Sequence, residues 1–289
     1  MDFYDRILKK LDQRILARYF AKTAGSGDQS SVSDDGKYPT FCRAASENRF
    51  LFHHFRRNEI YNLILEHLSA ERGQQYLDEI LAKPQADELV RSLSVYRQND
   101  RVGSPRVSEY TLRGQLLRIS PTTLRYVKVL ADLQEWIPLR EVHTVAEIGV
   151  GYGGQCRVIS AAQPMKCYRL VDLPEALALT GRYLRRYPQV TGTEFIDGMT
   201  IGDREPCSQD LVISNYAYSE LARNVQKIYL EKVIRGSAHG YITWNLESEQ
   251  NLDGFTTEEF LALVRDFGRN VRVMEEKPLT AEGNCIIVW

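Results

Sequence analysis

The sequence lacks several features that would assign it to a specialised class of protein. Its five cysteines are an odd number and form no C-x-x-C pair, so we expect neither a disulfide framework nor a zinc site. The five histidines show no pairing at helical spacing, so no metal is expected. No run of about 18 apolar residues occurs, and the first residues form no basic and apolar leader. We therefore expect a cytoplasmic protein without a membrane span.

Excess charge of one sign is also missing. The chain has 37 Lys plus Arg residues against 38 Asp plus Glu residues, a net charge of −1. Such a balance creates no overall field that would attract nucleic acid or an anionic membrane. We therefore expect no nucleic-acid partner.

The first part of the chain, residues 1–140, has mostly helical spacing of its apolar residues. A polar stretch at residues 23–39 predicts a linker. Ser120 followed by Pro121 predicts a helix start, because serine caps helices and proline suits the first helical position. This region is expected to bind the acceptor or to form a homo-oligomer through its helices.

The second part, residues 141–289, alternates short apolar runs with helical segments, a pattern typical of a parallel sheet. Strands are predicted at residues 145–150, 168–172, 193–197, 210–215, 240–245, 272–276 and 285–289. Helices are predicted at residues 155–162, 174–187, 221–234 and 256–267. The last two strands are too close for a crossover helix, so the final strand should run antiparallel. We thus expect an α/β Rossmann-like sheet of six parallel strands plus one antiparallel terminal strand.

The first strand of this sheet leads into a glycine turn, Gly149-x-Gly151-x-Gly153-Gly154, and then a helix. Such a turn lets backbone approach a ligand, and the following strand ends in Asp172, which can accept hydrogen bonds from a ribose diol. The spacing fits either a nicotinamide cofactor or S-adenosylmethionine. Glu147 before the turn, the Gly-x-Gly-x-Gly pattern and the antiparallel last strand favour S-adenosylmethionine.

Five ordered blocks of sequence resemble the class I S-adenosylmethionine-dependent methyltransferases, and more narrowly the bacterial sugar O-methyltransferases. The blocks are Gln98-Asn99-Asp100 with Gly103 and Pro105, then residues 120–126, 147–155, 171–174 and 214–221. The resemblance covers roughly residues 97–250, and the first 95 residues match nothing in it. It implies an enzyme that transfers a methyl group from S-adenosylmethionine to an oxygen.

The resemblance also implies roles for individual residues. Gly149, Gly151 and Gly153 would lie against the methionine part of the cofactor, Glu147 would hold its amino group, and Asp172 its ribose. Asp197 and Met199 would flank the adenine. Further cofactor contacts are expected from Tyr152, Gln155, Leu173, Asn215 and Tyr216, and acceptor contacts from Asn99, Arg125, Tyr126 and Tyr218.

A sugar hydroxyl is a weak nucleophile at neutral pH, so a base close to it would assist transfer. The candidates are carboxylates near the carboxyl ends of the strands or in the loop ahead of the sheet. Glu220 follows the fourth strand, Glu247 follows the fifth, and Asp100 lies ahead of the first. Glu220 is the favoured candidate, and a helix-end or surface carboxylate is the plain structural alternative for each.

The leading functional hypothesis is methylation of a sugar hydroxyl in the synthesis of a bacterial polysaccharide, glycolipid or glycosylated metabolite. The first alternative is a small-molecule methyltransferase that acts on a different hydroxyl or on an amine. The second is a nicotinamide-dependent oxidoreductase, although the sequence has no Tyr-x-x-x-Lys motif.

One stretch with an excess of basic residues bears on the acceptor. Between Arg91 and Lys128 there are eight basic residues and only two acidic ones, and seven of the eight are arginine. The planar arginine fork suits carboxylate and phosphate groups. An anionic acceptor is therefore predicted, with ordinary solvated helix faces as the alternative.

Overall fold

The computed structural model describes residues 3–21 and 36–289. Residues 23–35 of the predicted linker lie outside the described residues. The rest of that prediction needs correction, because residues 37–39 already form the first turn of a helix. The α-helices are α1 (Phe3–Phe20), α2 (Lys37–Glu47), α3 (Arg49–His54), α4 (Glu59–Tyr61), α5 (Ala70–Leu81), α6 (Ala86–Tyr96), α7 (Pro121–Trp136), α8 (Gly154–Ala162), α9 (Pro174–Leu184), α10 (Arg223–Tyr229), α11 (Glu247–Asn251) and α12 (Thr257–Asp266).

Shorter helical turns join these elements. Turns of the 3₁₀ type are found at Phe55–Arg57, Arg97–Arg101, Leu139–Glu141, Gly198–Asp203 and Ala217–Glu220, and π-helical turns at Asn62–Glu66 and Leu230–Ile234. The helix predicted at residues 221–234 is therefore α10 followed by a π turn. In that turn the Arg235 amide donates to the Leu230 carbonyl five residues earlier, at 2.8 Å.

The strands form a two-stranded hairpin and a seven-stranded sheet. They are β1 (Ser108–Leu112), β2 (Gln115–Ile119), β3 (Thr144–Ile148), β4 (Cys167–Asp172), β5 (Thr193–Asp197), β6 (Gln209–Asn215), β7 (Ser237–Trp244), β8 (Arg272–Glu275) and β9 (Cys285–Val288). The sheet order is β5-β4-β3-β6-β7-β9-β8. Only β9 runs against its neighbours in this sheet. The predicted architecture, six parallel strands plus one antiparallel terminal strand after a mostly helical region, is confirmed.

Both faces of the sheet are buried, as the predicted alternation of strands and helices requires. Consecutive side chains point to opposite faces, so Val145 joins one apolar cluster and Ala146 the other. The first cluster also contains Phe41 and Leu124 from the N-terminal region. The helical region and the sheet thus share a core, and the division of the chain near residue 140 stays a prediction.

Two predicted helix starts are confirmed by their capping bonds. The Ser120 hydroxyl accepts from the Thr123 amide at 3.1 Å, with Pro121 in the first turn of α7. Thr256 and Glu259 form a capping box at α12, each side chain accepting from the other's amide at 3.1 and 2.8 Å.

The hairpin β1–β2 was not expected from the sequence. Its turn consists of Arg113 and Gly114, both with positive φ, the backbone that a two-residue hairpin turn requires. Tyr110 and Leu117 face each other across the hairpin and are buried. The mostly helical N-terminal region therefore contains one β element.

Candidate active site

A cavity of about 500 Å³ lies at the carboxyl ends of β3, β4 and β6. This is the edge at which open α/β sheets bind ligands, and the volume falls in the range of small-molecule sites. Residues with a predicted cofactor role that line it are Glu147, Gly149, Gly151, Asp172, Leu173, Met199, Asn215 and Tyr216. Arg125, Tyr126 and Glu220, predicted on the acceptor side, line it as well.

The glycine turn after β3 forms one wall of the cavity. Gly149 has a φ of +75°, and a Cβ atom there would lie 2.0 Å from the Cβ atom of Ala217. Gly151 has a φ of +56° and is covered by Leu65, whose Cδ1 would lie 2.7 Å from an added Cβ atom. Gly153 also has a positive φ, but it faces Thr180 and does not line the cavity. Glycine is required here by both backbone conformation and close packing.

Two carboxylates, Glu147 in β3 and Asp172 at the end of β4, give the cavity its electrostatic character. Glu147 is 2% exposed and accepts a hydrogen bond from the Tyr168 hydroxyl at 2.6 Å. Burial raises its pKa to about 8. Asp172 accepts from the amides of Leu173 at 2.7 Å and Gly151 at 3.2 Å. Burial raises its pKa to about 6, although these amide bonds oppose the rise.

Neither carboxylate forms an ion pair with any residue that the structure describes. A buried carboxylate is stable as an anion only when a cation or several donors compensate it. Glu147 has one donor, and Asp172 has one amide donor on each carboxylate oxygen. The two groups are therefore suited to a ligand that brings a positive charge and hydroxyl donors.

The residues that follow β5 and β6 contribute to the cavity wall to different extents. Met199 lines the cavity and is 67% exposed, so its thioether side chain is available to a flat ring. Asp197 instead accepts from the Met199 amide at 2.9 Å, and it is not among the lining residues. After β6, Tyr216 has a φ of +69° and donates its hydroxyl to Glu276. This backbone conformation is costly for a residue other than glycine.

A second cavity of about 330 Å³ adjoins the first. Glu220 lines both, and its Oε1 accepts from the Asn245 side-chain amide at 2.9 Å. Glu247 lines only the second cavity and is exposed on α11. Of the three carboxylates considered as a base, Glu220 is therefore the one at the junction of the two cavities.

Asp100 has a different environment from the one that a base requires. It accepts hydrogen bonds from Arg56, from the Ser120 amide and hydroxyl and from Thr123, at 2.7 to 3.2 Å. It does not line either cavity. Asn99 beside it is fully buried, donating to the Gly154 carbonyl at 3.1 Å. Asp100 thus fixes the start of α7 and Asn99 the start of α8, and neither side chain reaches the cavities where a catalytic or acceptor-binding group would lie.

Three other predicted contacts are buried in the core. Tyr152 is fully buried with its ring centroid 4.8 Å from that of Tyr183, and Gln155 donates to the Tyr126 carbonyl at 3.2 Å. Tyr218 packs against Trp244 and donates its hydroxyl to the Gln226 carbonyl at 3.2 Å. None of the three lines the cavity, so their predicted contacts with cofactor or acceptor are not supported by the structure.

Several lining residues carry no local sequence signal. Tyr38 and Pro39 reach the cavity from α2, and Ile64 and Leu65 from the π turn. Tyr229 reaches it from α10. Each of them looks like an ordinary apolar position of a helix, so only long-range packing reveals the contact.

The described part of the chain offers neither a metal site nor a helix that could span a membrane. Among residues 3–21 and 36–289, histidine, cysteine and acidic side chains form no cluster that could hold a metal ion. The helices in those ranges are all too short or too polar to cross a membrane.

Comparison with known proteins gives matches at the level of structure alone. No family model matches the chain, and no curated protein does. The methyltransferase domain of bacterial CtHen1 matches with 15% identity and a TM-score of 0.43, over 57% of this chain and 96% of that one. The pyocyanin biosynthetic protein PhzM matches with 15% identity and a TM-score of 0.41, over 58% of this chain and 56% of that one. An rRNA methylase from Streptococcus thermophilus matches with 17% identity and a TM-score of 0.35, over 52% of this chain and 89% of that one.

Proposed function

We propose that the protein is an S-adenosylmethionine-dependent methyltransferase that methylates a hydroxyl group of a sugar. The observation that carries this proposal is the pair of buried acidic groups, Glu147 and Asp172, which form no ion pair among the described residues and lie beside a glycine turn in a cavity of suitable volume. The acceptor would belong to a polysaccharide, a glycolipid or a glycosylated metabolite.

The residues of the cavity fit this cofactor. The buried Glu147 carboxylate suits the cationic amino group of the methionine end, and Asp172 suits the ribose hydroxyls. Gly149 and Gly151 bring backbone without side chains to the cavity wall, where it packs against Ala217 and Leu65, and Met199 offers an apolar surface to the adenine. When bound, S-adenosylmethionine supplies an electrophilic methyl group on a positively charged sulfur.

The topology favours this cofactor over a nicotinamide dinucleotide. The usual dinucleotide-binding sheet has the order 3-2-1-4-5-6. Here β9 is inserted between β7 and β8 and runs antiparallel to both. This departure from the dinucleotide order agrees with the resemblance noted in the sequence.

Glu220 is proposed to accept the proton of the acceptor hydroxyl. With the cofactor bound, the acceptor oxygen would take the methyl group and the cofactor would leave as a neutral thioether. The hydroxyl proton would pass to the Glu220 carboxylate, which keeps the charges balanced. The hydrogen bond from Asn245 fixes the orientation of Glu220 at the junction of the cavities.

The second cavity supports a sugar as the acceptor. Its lining includes the side-chain amides of Asn245, Gln250 and Asn284, together with His67. Amide groups both donate and accept hydrogen bonds, so they can bind hydroxyl groups in either role. Asn245 and Asn284 each donate one hydrogen bond within the protein, to Glu220 and to Thr280, and each NH₂ group has a second donor that a hydroxyl could use and an apolar acceptor could not.

Isothermal titration with S-adenosylhomocysteine and with NAD⁺ tests the cofactor. We expect binding of the first and none of the second, and the reverse result would contradict the proposal. Transfer of a labelled methyl group to a panel of sugars, catechols and amines then tests the acceptor class. Labelling of catechols or amines without labelling of any sugar would favour the non-sugar alternative.

A further inference from the structure

Four residues line both cavities and thus define the place where cofactor and acceptor would meet. They are Ile64, Arg125, Tyr216 and Glu220. Arg125 is the single Lys or Arg side chain among the described residues that line either cavity. Its surroundings therefore decide which anion, if any, the site accepts.

Arg125 is buried without a partner. The side chain, on α7, is 8% exposed, and its Nε atom has no hydrogen-bond acceptor. In the part of the chain that the structure describes, its guanidinium forms neither a hydrogen bond nor an ion pair, and it lies 5.6 Å from the centroid of the Tyr126 ring. The nearby Glu66 carboxylate is bonded to Arg56 instead. Burying an uncompensated charge is unfavourable.

Other buried arginines of this protein are compensated. Arg56 donates to Glu66 at 2.6 and 3.2 Å and also to Asp100. Arg157 donates to the carbonyls of Tyr96 at 2.8 Å and Val95 at 2.6 Å. The fold therefore satisfies a buried guanidinium elsewhere, and Arg125 differs because its side chain lines the cavities.

The other basic side chains between Arg91 and Lys128 either form ion pairs outside the cavities or are exposed. Three members form ion pairs outside the cavities: Arg113 with Asp87, Arg118 with Glu109 and Lys128 with Asp132. Arg91, Arg97, Arg101 and Arg106 are exposed. The prediction of an anionic acceptor therefore depends on Arg125 alone.

Arg125 lies on the acceptor side of the junction. Burial lowers the pKa of His67, a wall residue of the second cavity, and the positive charge of Arg125 lowers it further. The lining agrees, since Arg125 lines the second cavity together with His67 and Asn245, whereas Glu147 and Asp172 line only the first. An anionic group that bonds to Arg125 would therefore be part of the acceptor and not of the methionine end of the cofactor.

Acidic side chains limit how much negative charge the acceptor can carry. Glu247 and Glu282 line the second cavity and are exposed, and Glu220 lies at its inner end. They would repel a polyanion. A single anionic group, bound at the inner end, is the arrangement that the charges permit.

We propose that Arg125 binds a carboxylate or phosphate group of the acceptor, so that the methylated sugar is a monoanionic or singly phosphorylated one. The anionic group would lie next to the hydroxyl that Glu220 deprotonates, as in a uronic acid or a sugar phosphate. This inference rests on the proposed methyltransferase function for the identity of the neighbouring cavity.

Binding of matched sugars to the complex with S-adenosylhomocysteine tests the inference. The probes are glucuronate, glucose 1-phosphate and neutral glucose, each titrated into the wild-type protein and into Arg125→Gln, Arg125→Lys and Arg118→Gln. We expect at least one anionic probe to bind the wild type about tenfold more tightly than glucose, a difference of about 1.4 kcal/mol. Arg125→Gln should abolish this preference, Arg125→Lys should keep part of it, and Arg118→Gln should keep all of it.

The two anionic probes distinguish a carboxylate site from a phosphate site. Equal binding of all three sugars to the wild type, or a preference that survives in Arg125→Gln, would overturn the inference. So would a tenfold loss of S-adenosylhomocysteine affinity in Arg125→Gln with an unchanged sugar preference, because Arg125 would then serve the cofactor. If the wild type binds no S-adenosylhomocysteine, the proposed function fails, and the same titrations without it still decide whether Arg125 selects anions.

Thermal unfolding gives a readout that is independent of ligands. Arg125→Met keeps much of the aliphatic stem and removes the uncompensated charge, so we expect an equal or higher melting temperature than in the wild type. A fall of more than about 5 °C would show that the guanidinium supports the fold, which would overturn its assignment to a ligand.

Discussion

Replacement of Glu147 by glutamine should make the ligand-free protein less sensitive to pH. Glu147 is buried and its pKa is raised to about 8 from an ordinary value of 4.5. A folded-state pKa above the unfolded-state pKa means that the folded protein binds the proton more tightly. Stability is therefore lost as the pH rises from about 4.5 to about 8, where the unfolded chain ionises and the folded chain holds its proton.

The size of this loss follows from the two pKa values. Between pH 5 and pH 7 the ionisation of Glu147 in the unfolded chain lowers the free energy of unfolding by about 2.5 kcal/mol. Glutamine cannot ionise, but it can still accept the hydrogen bond that Tyr168 donates at 2.6 Å. The cost of burying its NH₂ group is the same at both pH values, so it cancels in the comparison.

Urea unfolding of wild type and Glu147→Gln at pH 5 and pH 7 measures the effect. The stability difference between the two proteins should change by about 2.5 kcal/mol in favour of the variant as the pH rises. Glu258→Gln, on the exposed side of α12, is the matched control and should show a change below about 0.5 kcal/mol. Parallel pH profiles for wild type and Glu147→Gln would refute the assignment of a raised pKa. The same variant should bind S-adenosylhomocysteine more weakly, because the amino group loses its carboxylate.

Three further substitutions test other parts of the site. Asp172→Ala should weaken S-adenosylhomocysteine binding by about 2 to 3 kcal/mol in isothermal titration, and unchanged affinity would contradict its ribose-binding role. Glu220→Gln should lower turnover by about 10² to 10⁴ while the cofactor affinity stays nearly constant, and turnover within a few-fold of wild type would move the proposed base to Glu247. Arg56→Met should destabilise the protein by about 3 to 5 kcal/mol in urea unfolding, since Glu66 and Asp100 would lose their buried cation. A loss below about 1 kcal/mol would show that the two acids are compensated in another way.

The sheet could be predicted from sequence because its determinants are local. Apolar runs of strand length, the Thr256 capping box and the short connection before β9 all act within a few residues. Strand β5 was predicted with the bounds that the structure has, Thr193–Asp197. The hairpin β1–β2 was missed because its signal is a single Arg-Gly turn, and the buried residues that stabilise it, such as Tyr110, depend on packing against other elements.

The site was predictable only on its sheet side. Glu147, Gly149 and Asp172 follow from their position relative to strand ends, and they line the cavity. Tyr152 and Gln155 lie within the same motif but are buried in the core, where Tyr152 packs against Tyr183 and Gln155 donates to the Tyr126 carbonyl. Spacing identifies the loop, whereas burial decides which of its side chains reach the cavity.

The cavity wall that faces the sheet is formed by the N-terminal helices. It depends on contacts between residues that are far apart in sequence, and no local pattern reveals such contacts. Arg56 donates to Glu66 and to Ser120, and these bonds join the π turn at Asn62–Glu66 to the start of α7. The same turn supplies Leu65, which covers Gly151. An isolated sheet region would therefore lack part of the cofactor cavity as well as Arg125. The helices before the sheet therefore form one wall of the cavity, and they do not fold as a unit apart from it.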